Sequence, residues 1–173
     1  MPFTPLHLGI GAGFKAVQHR PFSFLIFAGT QVLMDIEPLL GLIYSWETLH
    51  LYTHNLVGAL IIGGLAVLFG RPITQWVLRI LAYSHWQISW KTAWMSAMIG
   101  SFSHILLDAF MHHDMYPFFP LTLHNPLLHL VPYPLIFGLC ILGIILGGSI
   151  AWFRTLKQRP VTHSDTDADL NDG

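Results

Sequence analysis

Histidines and carboxylates recur in this chain inside stretches that are otherwise apolar. The densest group is Ser103-His104-Ile105-Leu106-Leu107-Asp108-Ala109-Phe110-Met111-His112-His113-Asp114. His104, Asp108 and His112 stand at i, i+4 and i+8, so a helix aligns them along one face. Imidazole nitrogen and carboxylate oxygen are ligands that zinc and similar metals accept, and the i, i+4 spacing lets both reach one ion. Ionisable groups within an apolar helix are costly unless paired or functional. Taken alone, the plainer reading of this stretch is a hydrogen-bonded His–Asp pair that joins two helices.

Other residues of the same types lie upstream. Gln31-Val32-Leu33-Met34-Asp35-Ile36-Glu37-Pro38 places two carboxylates beside a proline in an apolar run. Pro38 removes a backbone donor and biases Glu37 away from regular helix. A break there lets both carboxylates face one cavity, whereas an unbroken helix turns them about 200° apart. His50 and His54 stand four apart in a short polar connection, and His7 lies near the start of the chain.

The elements that must position these groups are membrane helices. Of the 173 residues, 53% are hydrophobic and 10% charged, against about 25% charged in a typical globular domain. The net charge of -1 gives no footing for nucleic acid. The single cysteine, Cys140, excludes an internal disulfide and a cysteine-built zinc site. The opening residues lack a basic n-region and a small-residue cleavage site, so no removable signal peptide is expected. Spans are expected over Phe22–Tyr44, Asn55–Gly70, Lys91–Met111 and Pro132–Phe153. Residues 5–18 are expected to form a short helix, a fifth crossing whose Gly9, Gly11 and Gly13 let it pack against the spans carrying Asp35 and His104, with an amphipathic helix on the inner surface and a solvated His7 as the competing picture. Arg71-Pro72 ends the second span, and Ile73–Trp90 reads as an amphipathic interfacial helix. The expected fold class is thus an all-α integral membrane bundle over residues 1–158, with residues 159–173 as a disordered acidic tail.

Charge sets the orientation. Lys15 and Arg20, then Arg71, Arg79 and Lys91, then Arg154, Lys157 and Arg159 all fall on one side of this topology. The positive-inside rule makes that side, and the C-terminus, cytoplasmic in a cell (inner) membrane. The loops 45–54 and 112–131 hold no Lys or Arg and face out. Asp35, Glu37, His50, His54, His104 and Asp108, with His112 at the edge, then share the outer half, and His7 joins them if residues 5–18 run inward. Metal ligation offsets the desolvation that unpaired charges would suffer there.

Four segments together carry a likeness to a known family: MPFTPLHLG, QVLMDIEP, HLYTHN and SHILLDAFMHHDMYPFFP. Their order and spacing over residues 1 to about 120 resemble the YdjM-like membrane-bound metal-dependent hydrolases. The resemblance implies a helical membrane domain, hydrolase activity and functional polar positions at His7, Asp35, Glu37, His50, His54, His104 and Asp108. The chain departs from the family's His-turn at Leu51-Tyr52 and at Asn55. The ligand order is more loosely similar to the helical zinc-dependent phospholipases C and their nuclease relatives, although no second HxxxE or HxxxD follows residue 114.

The expected site is mono- or dinuclear and binds a divalent metal, zinc first. His7, Asp35, His50, His54, His104 and Asp108 are the ligands and Glu37 the general base. A position at the lipid boundary suits a phosphoester or lipid-like substrate. Three other classes compete. A metal or proton transporter would need polar residues through the inner halves of the spans, which are nearly free of them. A haem anchor would not need clustered carboxylates. A non-catalytic structural membrane protein is the third.

Overall fold

The computed structural model describes residues 4–17, 22–83 and 87–157. The expected acidic tail and the expected break at His19–Pro21 lie outside the described residues, as does Trp86. The described chain is all-helical: α1 (Thr4–Val17), α2 (Phe24–Met34), α3 (Ile36–Tyr44), α4 (Leu56–Ile80), α5 (Trp90–Met111) and α6 (Tyr133–Lys157). Three segments are long and apolar enough to cross a membrane: Phe24–Tyr44, which spans α2 and α3, Leu56–Ile80 and Tyr133–Arg154. Four were expected. The difference is α5, whose Ser96, Ser101, Ser103, His104 and Asp108 dilute its apolar character. Those residues are tolerated because α5 is the inner helix of the bundle. It buries Ala93, Ala97, Ile105 and Ala109 along with its polar groups, packed between α2 and α4.

α4 does not end at Arg71-Pro72. It continues through Pro72 to Ile80, so residues 73–80 are its last turns and no separate interfacial helix begins there. One proline costs a helix a single backbone hydrogen bond, which apolar helices commonly absorb. The far end of α4 is tied down by side chains. Arg71 Nε donates to Ile88 O at 2.8 Å, Gln75 Oε1 accepts from Ile88 N at 3.1 Å, and the Arg71 guanidinium sits 4.3 Å from the Trp90 ring centre. Outward, α4 and α6 present Ile61, Leu68, Phe69, Leu139, Ile145 and Leu146, all exposed, as helices facing lipid do.

The N-terminal helix packs differently from expectation. Gly11 meets Phe27 of α2, but Gly9 and Gly13 face α6. A Cβ on Gly9 would lie 1.9 Å from Cys140 O, and one on Gly143 would lie 2.2 Å from Gly9 O. Two helix backbones in direct contact leave no room for a side chain, which is how small residues at four-residue spacing join apolar helices. With water excluded on both sides, close backbone packing outweighs the choice of a polar neighbour. α1 still runs antiparallel to α2, with Phe14 beside Phe22 and Lys15 Nζ donating to Phe22 O at 3.0 Å. That course delivers His7 to the end of the bundle where α5 carries Asp108.

Candidate metal centre

The centre is assembled where α2 gives way to α3. The helix breaks at Asp35, three residues before Pro38, because proline cannot donate to the carbonyl four residues earlier. That carbonyl is Met34 O, and the Thr53 hydroxyl lies 3.4 Å from it. The break turns Asp35 toward α5 and Glu37 toward the connection between α3 and α4.

This connection is a tight turn held on three sides. Glu37 Oε1 accepts from Leu51 N at 3.2 Å and Tyr52 N at 2.7 Å; Oε2 accepts from Thr53 N at 2.6 Å and from the Thr53 hydroxyl. Asn55 caps α4 by accepting from Gly58 N at 2.8 Å, and its amide donates to Leu51 O and Tyr52 O. A Cβ on Gly58 would fall 2.4 Å from Tyr52 O, so the turn can fold over the helix start only with glycine there. Asp114 Oδ2 accepts from Leu49 N and His50 Nδ1, both at 3.0 Å, and Leu56 N donates to Pro117 O, which locks the turn to the loop after α5.

Proton bookkeeping fixes the imidazoles. A carboxylate only accepts, so Asp114 takes Nδ1–H from His50. The single Thr53 hydroxyl proton goes to Glu37, so the 2.9 Å contact between Thr53 Oγ1 and His54 Nδ1 has the imidazole as donor. Gln31 donates its amide to Gly100 O at 3.2 Å, which turns Oε1 to accept from His104 Nδ1. All three rings carry a proton on Nδ1, which leaves Nε2 as the nitrogen a metal would take. Tying the far nitrogen to an oxygen is how proteins orient histidines as metal ligands.

The Nε2 atoms of His54 and His104 meet two carboxylates. His104 Nε2 lies 3.3 Å from Asp35 Oδ1, 3.2 Å from Asp108 Oδ2 and 3.3 Å from His54 Nε2, and His54 Nε2 lies 3.5 Å from Asp108 Oδ2. A tetrahedral ion with bonds of roughly 2.0–2.1 Å separates its ligand atoms by roughly 3.3–3.4 Å. These four separations match the edges of such a tetrahedron, and all the ligand atoms of the group lie within 4.8 Å of one another. This buried group of His and Asp residues could hold a metal ion.

Charge points the same way. Among the described residues, every ion pair of Asp35, Glu37, Asp108 and Asp114 is to a histidine and none is to Lys or Arg. Asp35 Oδ2 and His7 Nδ1 are buried without a hydrogen-bond partner, an arrangement that is costly without a cation nearby. Burial pushes the His54 imidazole below its ordinary value and the His112 imidazole down to about 4, despite the pull of Asp108 on each. Both are consequently neutral near pH 7, the form that binds metal.

Each expected residue can now be placed. Asp35, His54, His104 and Asp108 form one ligand group, and His50 joins Asp108 and His112 in another. His7 Nε2 reaches Asp108 Oδ1 at 3.4 Å but belongs to neither group. Glu37 gives both oxygens to the turn and does not face the ligand atoms as a base would. Gln31, Thr53 and Asp114 were not anticipated. Gln31 had a signal, because it stands four residues before Asp35 on the same helical face. Thr30 and Ser96, further along the α2–α5 seam from the centre, donate to carbonyls of their own helices.

No protein-family model matches the chain, and neither a curated protein nor a solved structure matches it. The family resemblance therefore stands on the four sequence segments alone.

Proposed function

We propose that the chain is a membrane-bound metal-dependent hydrolase of the YdjM-like kind, with zinc at the group Asp35–His54–His104–Asp108. The observation that carries the reading is the convergence of the His54 and His104 Nε2 atoms, each with its Nδ1 tied behind, on two carboxylates at ligand spacing. Two imidazoles and two carboxylates suit zinc among borderline divalent ions. A bound metal would supply an acidified water and polarise the scissile group. Within this reading α5 is the fourth crossing, α1 is a short fifth, the centre faces outward from the cell membrane and the C-terminus is cytoplasmic.

The proton-accepting role passes from Glu37 to His7. Its Nδ1 has no partner, and the ring lines a cavity of about 370 Å³ together with Leu6, Met111, His112, Ile136 and Phe137. Hydrocarbon walls with histidines at one end fit a phosphoester or ester of a lipid-like molecule. The test is metal analysis of purified protein alongside hydrolysis of bis(p-nitrophenyl) phosphate and p-nitrophenyl esters. Wild type should retain zinc and turn over one class of substrate, and His104→Ala should lose both. A wild type without stoichiometric metal after zinc reconstitution would sink the proposal.

A further inference from the structure

We propose that Asp108 bridges two metal positions and that the second, held by His50, Asp108 and His112, is the one open to substrate. This inference rests on the reading of the first group as a metal centre. Asp108 is buried, and its two oxygens face different partners. Oδ2 faces His54 and His104, whereas Oδ1 lies 3.4 Å from His7 Nε2 and 3.8 Å from His112 Nε2. If the first ion takes Oδ2, Oδ1 keeps its lone pairs for a second cation. Carboxylate bridges of this kind hold paired catalytic ions roughly 3.5–4 Å apart.

The second position has its own ligands and its own outer support. The ligand atoms of His50, Asp108 and His112 lie within 4.8 Å of one another. His50 gives its Nδ1 proton to Asp114 at 3.0 Å, so its Nε2 is free for the centre. The His50 and His112 rings stack at 4.3 Å with a 22° tilt, so the two imidazoles lie side by side. His112 is supplied by the C-cap of α5 and His50 by the turn after α3, so the bridge His50–Met115 between these segments sets their spacing.

The two positions differ in kind. The first has four protein ligands, so a water or substrate there joins only as a fifth ligand. The second has three, the number that leaves a coordination position for water or substrate. His112 also lines the cavity between α1 and α6, so the open position faces the space where an apolar substrate would lie. Three protein ligands against four make the second position the weaker of the two.

Zn²⁺ titration of the detergent-solubilised full chain, with the bound metal counted by mass spectrometry, tests the inference. Wild type should bind two ions per chain in two steps, and His112→Ala should bind one with the tighter step unchanged. Asp35→Asn should lose the tighter step. Loading with Mn²⁺ should give an exchange-coupled pair signal in electron paramagnetic resonance, replaced in His112→Ala by the six-line signal of an isolated ion. Should His112→Ala fail to fold by circular dichroism, His50→Ala supplies the same readout. One ion in wild type, lost in His104→Ala but kept in His112→Ala and His50→Ala, overturns the second position and leaves the first standing. No bound ion in wild type overturns both.

Discussion

Glu37→Gln separates a residue that holds the centre from one that performs chemistry in it. The carboxylate accepts three backbone N–H groups at 3.2, 2.7 and 2.6 Å and one hydroxyl. Glutamine keeps the shape but offers a single oxygen. In its better orientation the oxygen keeps Leu51 N and Tyr52 N, and the new NH₂ confronts Thr53 N–H. The Thr53 N–H bond is lost, at about 1.5–3 kcal/mol, the Thr53 hydroxyl must turn from donor to acceptor toward the new NH₂, and the remaining bonds weaken because the acceptor is now neutral. The Asn55 and Asp114 contacts keep the turn from opening fully, so only part of this loss reaches His50 and His54. A share of about 0.7–1.4 kcal/mol corresponds to a roughly 3–10-fold weaker zinc affinity. Competition with a chromophoric chelator measures that affinity directly in detergent. An unchanged affinity with hydrolysis abolished would refute this reasoning and restore Glu37 as the general base.

Four further outcomes follow from the geometry. His104→Ala should reduce zinc affinity by more than about 100-fold, whereas His7→Ala, outside both ligand groups, should cost under about tenfold in chelator competition but remove most hydrolysis. Gln31→Leu frees the His104 tautomer and should weaken zinc about 10–100-fold in the same assay, without loss of helicity by circular dichroism. Gly9→Ala forces its new methyl onto Cys140 O and should destabilise by about 1–3 kcal/mol, read as a lower thermal midpoint, while Gly29→Ala, with open space at its Cβ, should not. On a Cys140→Ser background, Thr122→Cys should react with an impermeant maleimide in intact cells and Ile80→Cys should not; the reverse pattern would overturn the orientation.

Local spacing made part of the centre legible. His104, Asp108 and His112 share a face because a helix repeats every 3.6 residues, and the hydropathy around them requires a helix. The proline after Glu37 marked the break that turns Asp35 and Glu37 toward one region, although the break itself falls at Asp35. Composition and apolar runs were enough for an all-helical chain with segments long and apolar enough to cross a membrane.

Tertiary structure decided what each polar group does. Asp35 and Glu37 are equivalent by type and neighbourhood, yet one faces His104 and the other is consumed by backbone N–H groups 14 to 16 residues downstream. No periodicity reports which donors a turn will present, because that depends on how Asn55 and Gly58 fold it over α4. The partner of α1 was equally hidden, since glycines permit close approach to any apolar helix and only the matching glycines of α6 select one. The two faces of Asp108 belong to this class as well: a sequence names a carboxylate, and only the packing of α1, α4 and α5 around it assigns its two oxygens to different neighbours.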